Sequence, residues 1–92
     1  MDASDHSPQH RVRDARVTDE RLFVDLEDGR TISVPLEWYP RLERGTPAQR
    51  ENWLIVGAGW GLHWPDLDED INVPALLQGK ASTQFQAVPT IS

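Results

Sequence analysis

The chain has 92 residues, no cysteine and a formal net charge of −6. That length suits one small domain with a single core, and the missing thiols exclude disulfide staples, thiolate catalysis and sulfur-ligated metal sites. No apolar run approaches the roughly 18 residues of a membrane-spanning helix, and the N-terminal stretch MDASDHSPQH is polar, so neither anchor nor signal peptide is expected and a cytoplasmic location is the default.

The charge is unevenly distributed. Arg11, Arg13, Arg16, Arg21, Arg30, Arg41, Arg44 and Arg50 all precede Glu51, and only Lys80 follows it. An anionic C-terminal half repels phosphate backbones, which argues against nucleic acid binding by this chain alone. Residues 1–10 and 81–92 lack periodicity and are rich in small or polar residues, so both are expected to be disordered tails around a single domain spanning 11–80.

Within that domain the first elements follow from alternation. In RLFVDLE, Leu22, Val24 and Leu26 share one strand face, and in RTISV so do Ile32 and Val34. A two-residue Asp28-Gly29 turn would oppose Val24 to Ser33 and mix the faces. A three-residue loop of Glu27, Asp28 and Gly29 pairs Val24 with Ile32 and Leu22 with Val34, and puts glycine where that loop class needs a left-handed residue. An even turn at Asp19-Glu20 sets Val17 against Leu22 and Ala15 against Val24, which brings three strands onto one apolar face. PLEWYPRLERG, with proline at position 35 and again at 40, reads as a connection with at most a short helix, its Leu36, Trp38 and Leu42 covering the sheet. Thr46-Pro47-Ala48-Gln49 has the form of a capping box with proline at the first helical position, opening a helix through about Asn52.

Strands over Trp53–Val56 and Trp60–Trp64 are then expected, with Gly57-Ala58-Gly59 as a three-residue loop that pairs Leu54 with Leu62, Val56 with Trp60 and Trp53 with His63. The acidic run Asp66, Asp68, Glu69 and Asp70 reads as a solvated loop ahead of a helix from about Val73 to Gln78, capped by Asn72, ended by Gly79, and stapled by Ile71 onto Leu76. The expected fold is α+β: a small antiparallel sheet built from hairpins, with two or three short helices.

Chemical motifs are weak. Gly57, Gly59 and Gly61 precede a strand, not the helix a phosphate loop requires. Asp66, Asp68 and Asp70 alternate like calcium ligands, but Ile71 and Leu77 stand where that loop needs glycine and glutamate. His63 has no positioned nucleophile or carboxylate partner and reads as structural, beside Trp53 with its second nitrogen hydrogen-bonded. The serines lack a nucleophile elbow. No catalytic, cofactor or metal residues are assigned, and no enzyme is expected. Trp38, Trp53, Trp60 and Trp64 are many large rings for a small core, and tryptophan is enriched at interface hot spots. The candidate partner-binding residues are accordingly Trp60, Trp64, Asp66, Asp68 and Asp70.

The segments LEDGRTISVPL, TPAQRENWLIVGAGWGLHWPDLDEDINV and ALLQG, with their GxGxGLHWPDLDEDI pattern, resemble the bacterial domain-of-unknown-function family 2442 over about residues 11–80. The resemblance implies a small α+β fold with antiparallel strands. It also implies a partner, a small protein encoded by the neighbouring gene, in an arrangement of the toxin and antitoxin type. Longer relatives append a helix-turn-helix, and none is expected after ALLQG here, which disfavours direct DNA regulation. The family has no established site residues, so none are carried over. The expected function is a non-enzymatic protein-interaction module, the acidic antitoxin-like member of a pair. A small-ligand or metal-binding domain using His63 and the aspartates is the alternative, and a DNA-binding accessory role in transcription comes third.

Overall fold

A computed structural model of the chain describes residues 11–82, so segment 1–10 and most of the expected C-terminal tail lie outside the described residues. At the C-terminal limit of the described residues, Tyr39 Oη donates to the Lys80 carbonyl at 3.3 Å and the Ser82 N–H to the Trp38 carbonyl at 3.1 Å.

Two antiparallel sheets of three strands make up the fold. The first comprises β1 (Val12–Val17), β2 (Arg21–Leu26) and β3 (Thr31–Pro35) in chain order. Its registers are those the alternation requires: Val17 opposite Leu22, Ala15 opposite Val24, Val24 opposite Ile32 and Leu22 opposite Val34. Thr18 fixes the first turn by accepting from the N–H groups of both Glu20 and Arg21. Gly29 fixes the second at φ 95°, donating to the Leu26 carbonyl at 3.0 Å. This register is enforced because a slip of one residue would turn Leu22, Val24 and Leu26 out to water.

The connection carries a 3-10 turn at Leu36–Trp38 and two short helices, α1 (Pro40–Glu43) and α2 (Pro47–Glu51). Leu36 and Leu42 are fully buried over the sheet. The capping box is formed in both directions, with Thr46 Oγ1 accepting from the Gln49 N–H and Gln49 Oε1 accepting from the Thr46 N–H.

The second sheet holds β4 (Leu54–Val56), β5 (Gly61–Trp64) and β6 (Glu69–Asn72), again in chain order. Two expectations fail in it. Leu54 lies opposite His63, Ile55 opposite Leu62 and Val56 opposite Gly61, so the expected register is wrong by one residue. The cause is a four-residue turn: Gly57, Ala58 and Gly59 all take left-handed φ values of 62°, 57° and 97°, and Trp60 completes it by donating to the Gly57 carbonyl at 3.1 Å. The acidic run is also not a single loop. A turn over residues 65–68, with Asp68 left-handed at φ 53°, reverses the chain into β6. Finally α3 (Val73–Leu77) is capped as expected, Asn72 Oδ1 accepting from the Ala75 N–H at 2.8 Å. Past its end, Gly79 and Lys80 donate back to the Leu76 and Ala75 carbonyls in a Schellman closure.

One core joins the sheets: Leu22, Val24 and Leu26 from β2 meet Leu62, Trp64 and Ile71 from β5 and β6, with Val73 and Leu76 closing one end. Val24 is fully buried at its centre. Val24→Asp is therefore expected to destabilise the domain by roughly 3 kcal/mol or more, since it places an unpaired carboxylate among apolar groups. Urea unfolding followed by tryptophan fluorescence measures this, and an unchanged midpoint would contradict the burial.

Candidate interaction surface

The strand β4 stands out physically. It is an outer strand of its sheet, and its residues Leu54, Ile55 and Val56 are 54%, 44% and 38% exposed. Because Ile55 opposes the core residue Leu62 while Leu54 and Val56 face the other way beside His63 and Gly61, β4 is apolar on both faces. The signal was in the sequence as a run of three apolar residues without alternation, directly before a glycine-rich turn.

Of the sequence candidates, Trp60 is half-buried and its carbonyl accepts from the Val73 N–H at 2.8 Å. Trp64 is fully buried, with Nε1 donating to the Arg50 carbonyl at 2.9 Å, so it is a core residue and no surface anchor. Trp64 shares strand parity with buried Leu62, while His63 between them takes the outer face, so the Trp64 ring points into the core. Asp66 and Asp68 both lie on the turn preceding β6. Asp66 Oδ2 accepts from Asn52 Nδ2 at 2.9 Å, tying the turn to the approach of β4. Arg41 reaches the other side of the turn, donating to the Asp68 carbonyl with the Asp68 carboxylate 3.6 Å away. Asp70 lies on β6 and shares a 2.6 Å hydrogen bond with His63 Nδ1 of its cross-strand partner. The expectation that His63 has no positioned carboxylate partner is therefore corrected: β6 brings Asp70 to its Nδ1, and the register of β4 sets Leu54, in place of Trp53, opposite it.

A second region opens beside α3. Tyr39, Glu69, Asn72 and Lys80 line a shallow cleft of about 240 Å³, below the usual volume of small-molecule pockets. Glu69 is only 7% exposed. Burial raises its carboxyl above the ordinary value, an effect opposed by the Arg41 charge and by the Asp70 N–H. Burial, with the Glu69 charge adding to it, pushes the Tyr39 phenol up to about 12. On the outer face of the first sheet, by contrast, the hydroxyl of Thr31 donates to Asp25 at 2.7 Å and Arg16 to it at 2.9 Å. The Thr31 bond, helped by the Arg16 charge and opposed by burial, holds Asp25 below its ordinary range. Each group has a structural role in place. Among the described residues, no three His, Asp or Glu side chains cluster in a way that could hold a metal ion, and no helix is long and apolar enough to cross a membrane.

The profile of the family described as "Protein of unknown function (DUF2442)" matches residues 12–82, the whole of this fold. The chain belongs to the DUF2442 family. A crystal structure of a protein of unknown function from Rhodospirillum rubrum is similar to this DUF2442 chain at 37% identity and a TM-score of 0.68, over 80% of this chain and 92% of that one. A solution structure of an uncharacterised protein from Chromobacterium violaceum shares the fold with a TM-score of 0.68 at 20% identity, over 80% of this chain and 70% of that one. No curated protein matches the sequence.

The Glu69 carboxyl gives this DUF2442 domain a definite pH response. Its folded value lies above the ordinary 4.5, so its contribution to stability is full below about pH 4.5 and is lost as pH rises through the folded value. Glu69→Gln removes the ionisation. The variant is expected to raise the thermal midpoint relative to wild type more at about pH 7.5 than at about pH 4. Equal shifts at both values, read by circular dichroism melts, would contradict the burial of that charge.

Proposed function

We propose that this DUF2442 chain is a non-enzymatic protein-interaction module, the acidic antitoxin-like member of a two-protein system whose partner is a small protein encoded by the neighbouring gene. The observation that carries the reading is the exposed apolar strand β4 continuous, through the Asn52 to Asp66 bond, with a turn bearing Asp66 and Asp68. An apolar centre with a charged rim is the anatomy of a protein interface. Half-buried Trp60 adjoins this surface through the β4–β5 turn, offering an aromatic anchor. Asp25, held low by Thr31 and Arg16, serves the outer face of the first sheet, and Glu69, raised by burial, lies in the cleft beside α3 away from this surface, so contact is the chemistry that the β4 surface offers.

The test is a titration of the chain with the neighbour-encoded protein, alongside duplex DNA at physiological salt. Trp60→Ala is expected to lose roughly 2 kcal/mol of partner affinity while remaining folded, as an interface anchor does. Reversal of Asp66 and Asp68 to lysine should mainly slow association with a basic partner and weaken its salt dependence. Tight DNA binding with no binding of the neighbour protein would overturn the proposal.

A further inference from the structure

Sheet edges attract other strands, and natural proteins protect them with charges, prolines, bulges or covering elements. Three of the four outer strands here are protected. β1 is bulged between Val12 and Asp14 and carries Arg13, Asp14 and Arg16. β3 ends at Pro35. β6 carries Glu69, Asp70 and Asn72 and runs straight into α3. β4 has no such device: from Asn52 to Pro65 there is no Asp, Glu, Lys or Arg, in a chain of net charge −6. Among the described residues no segment outside the sheet hydrogen-bonds to the backbone of β4.

The surroundings of this edge are polarised along its length. At the N-terminal end of β4, Asn52 holds Asp66 of the acidic turn at 2.9 Å. At the C-terminal end, beyond the Gly57–Gly59 turn, exposed Arg11 lies over Gly59, its side chain 2.9 Å from where a β-carbon would stand. An occupant that pairs antiparallel must therefore be apolar in the middle, basic where β4 begins and acidic where it ends. A second β4, turned about a two-fold axis through Ile55, has that pattern: its Arg11 end meets the Asp66 end of the first copy, and the reverse. Antiparallel strand pairing between identical edges is isologous and closes without further growth.

Resting on the reading of the chain as a contact module, we infer that the occupant of the β4 edge is a second copy of this chain, which joins the two C-terminal sheets into one continuous sheet of order β6-β5-β4-β4-β5-β6. Self-pairing then covers the edge in the absence of the neighbour-encoded protein, which competes with the second copy for β4 and Asp66, while Asp68 and Asp70 lie outside the pairing. A contact centred on so short a strand is small, so the dimer belongs to the weak class, with a dissociation constant of roughly 10 to 100 µM.

Sedimentation equilibrium of the full chain alone, over a concentration series bracketing that range, tests it. The expected mass rises from one chain to two with increasing concentration. Ile55→Lys, at an exposed position, should weaken self-association at least tenfold with an unchanged near-ultraviolet spectrum. Arg11→Glu and Asp66→Arg should each weaken it, and an equimolar mixture of these two variants should recover association, because every cross-copy contact is then again between opposite charges. A one-chain mass for wild type at every concentration overturns the inference and assigns the edge to another occupant, as does Ile55→Lys associating like wild type. The neighbour-protein titration separates this outcome from the broader reading: a monomer that binds its neighbour refutes only the dimer, and a dimer that binds no protein partner refutes only the proposed function.

Discussion

A single buried guanidinium links most parts of this fold. Arg50, on α2, is 8% exposed. Its Nε donates to the Leu42 carbonyl at 2.9 Å and its Nη2 to the Glu43 carbonyl at 2.7 Å, satisfying the end of α1. Its Nη1 reaches Asp19 in the β1–β2 turn at 2.9 Å, and its own carbonyl accepts from the fully buried Trp64 of β5. One residue thus connects the first sheet, both connecting helices and the centre of the second sheet. A charge so far from water is tolerated only because each of its three nitrogens has a partner, and loss of the group would leave the Glu43 carbonyl without its donor and the Leu42 carbonyl with only backbone donors such as the Gly45 N–H.

This junction explains how so short a strand as β4 can stand in the open. β5 is anchored from within by Trp64 and from its other side by β6, so β4 needs to contribute little to the core. Ile55 sits on the core-facing side of the sheet but beyond the core's edge, and Leu54 and Val56 face outward. The acidic turn is braced independently by Asn52 on one flank and Arg41 on the other. An apolar edge and an anionic turn are therefore presented on a fixed frame, and a surface ordered before contact loses less entropy on binding.

The first sheet was legible in the sequence because two constraints agreed there. The alternation of Leu22, Val24 and Leu26 and the left-handed requirement met by Gly29 admit one register. The caps were legible for the same reason: Thr46 with Gln49, and Asn72 with Gly79, are local patterns that tertiary contacts do not override. The second sheet lacked such agreement. Ala58 adopts a left-handed backbone that its side chain does not favour, so the four-residue turn had no signature and the register slipped. Glu69-Asp70-Ile71-Asn72 has little strand propensity, and β6 exists because Ile71 and Glu69 face inward while Asp70 finds His63. Trp64 could not be sorted from Trp60 by sequence, since the inward position of Trp64 depends on β6 and on the distant Arg50. The exposure of Leu54, Ile55 and Val56 is likewise a tertiary fact, set by how far the core extends.

The dependence of both sheets on the Arg50 side chain is read most directly by equilibrium unfolding of Arg50→Met in urea, followed by tryptophan fluorescence. Methionine keeps most of the apolar volume and removes the donors to Leu42, Glu43 and Asp19. A loss of roughly 2 to 4 kcal/mol is expected, from the hydrogen bonds the charged group makes to Leu42 and Asp19 and from the Glu43 carbonyl left without its donor. An unfolding curve superimposable on that of wild type would contradict the account.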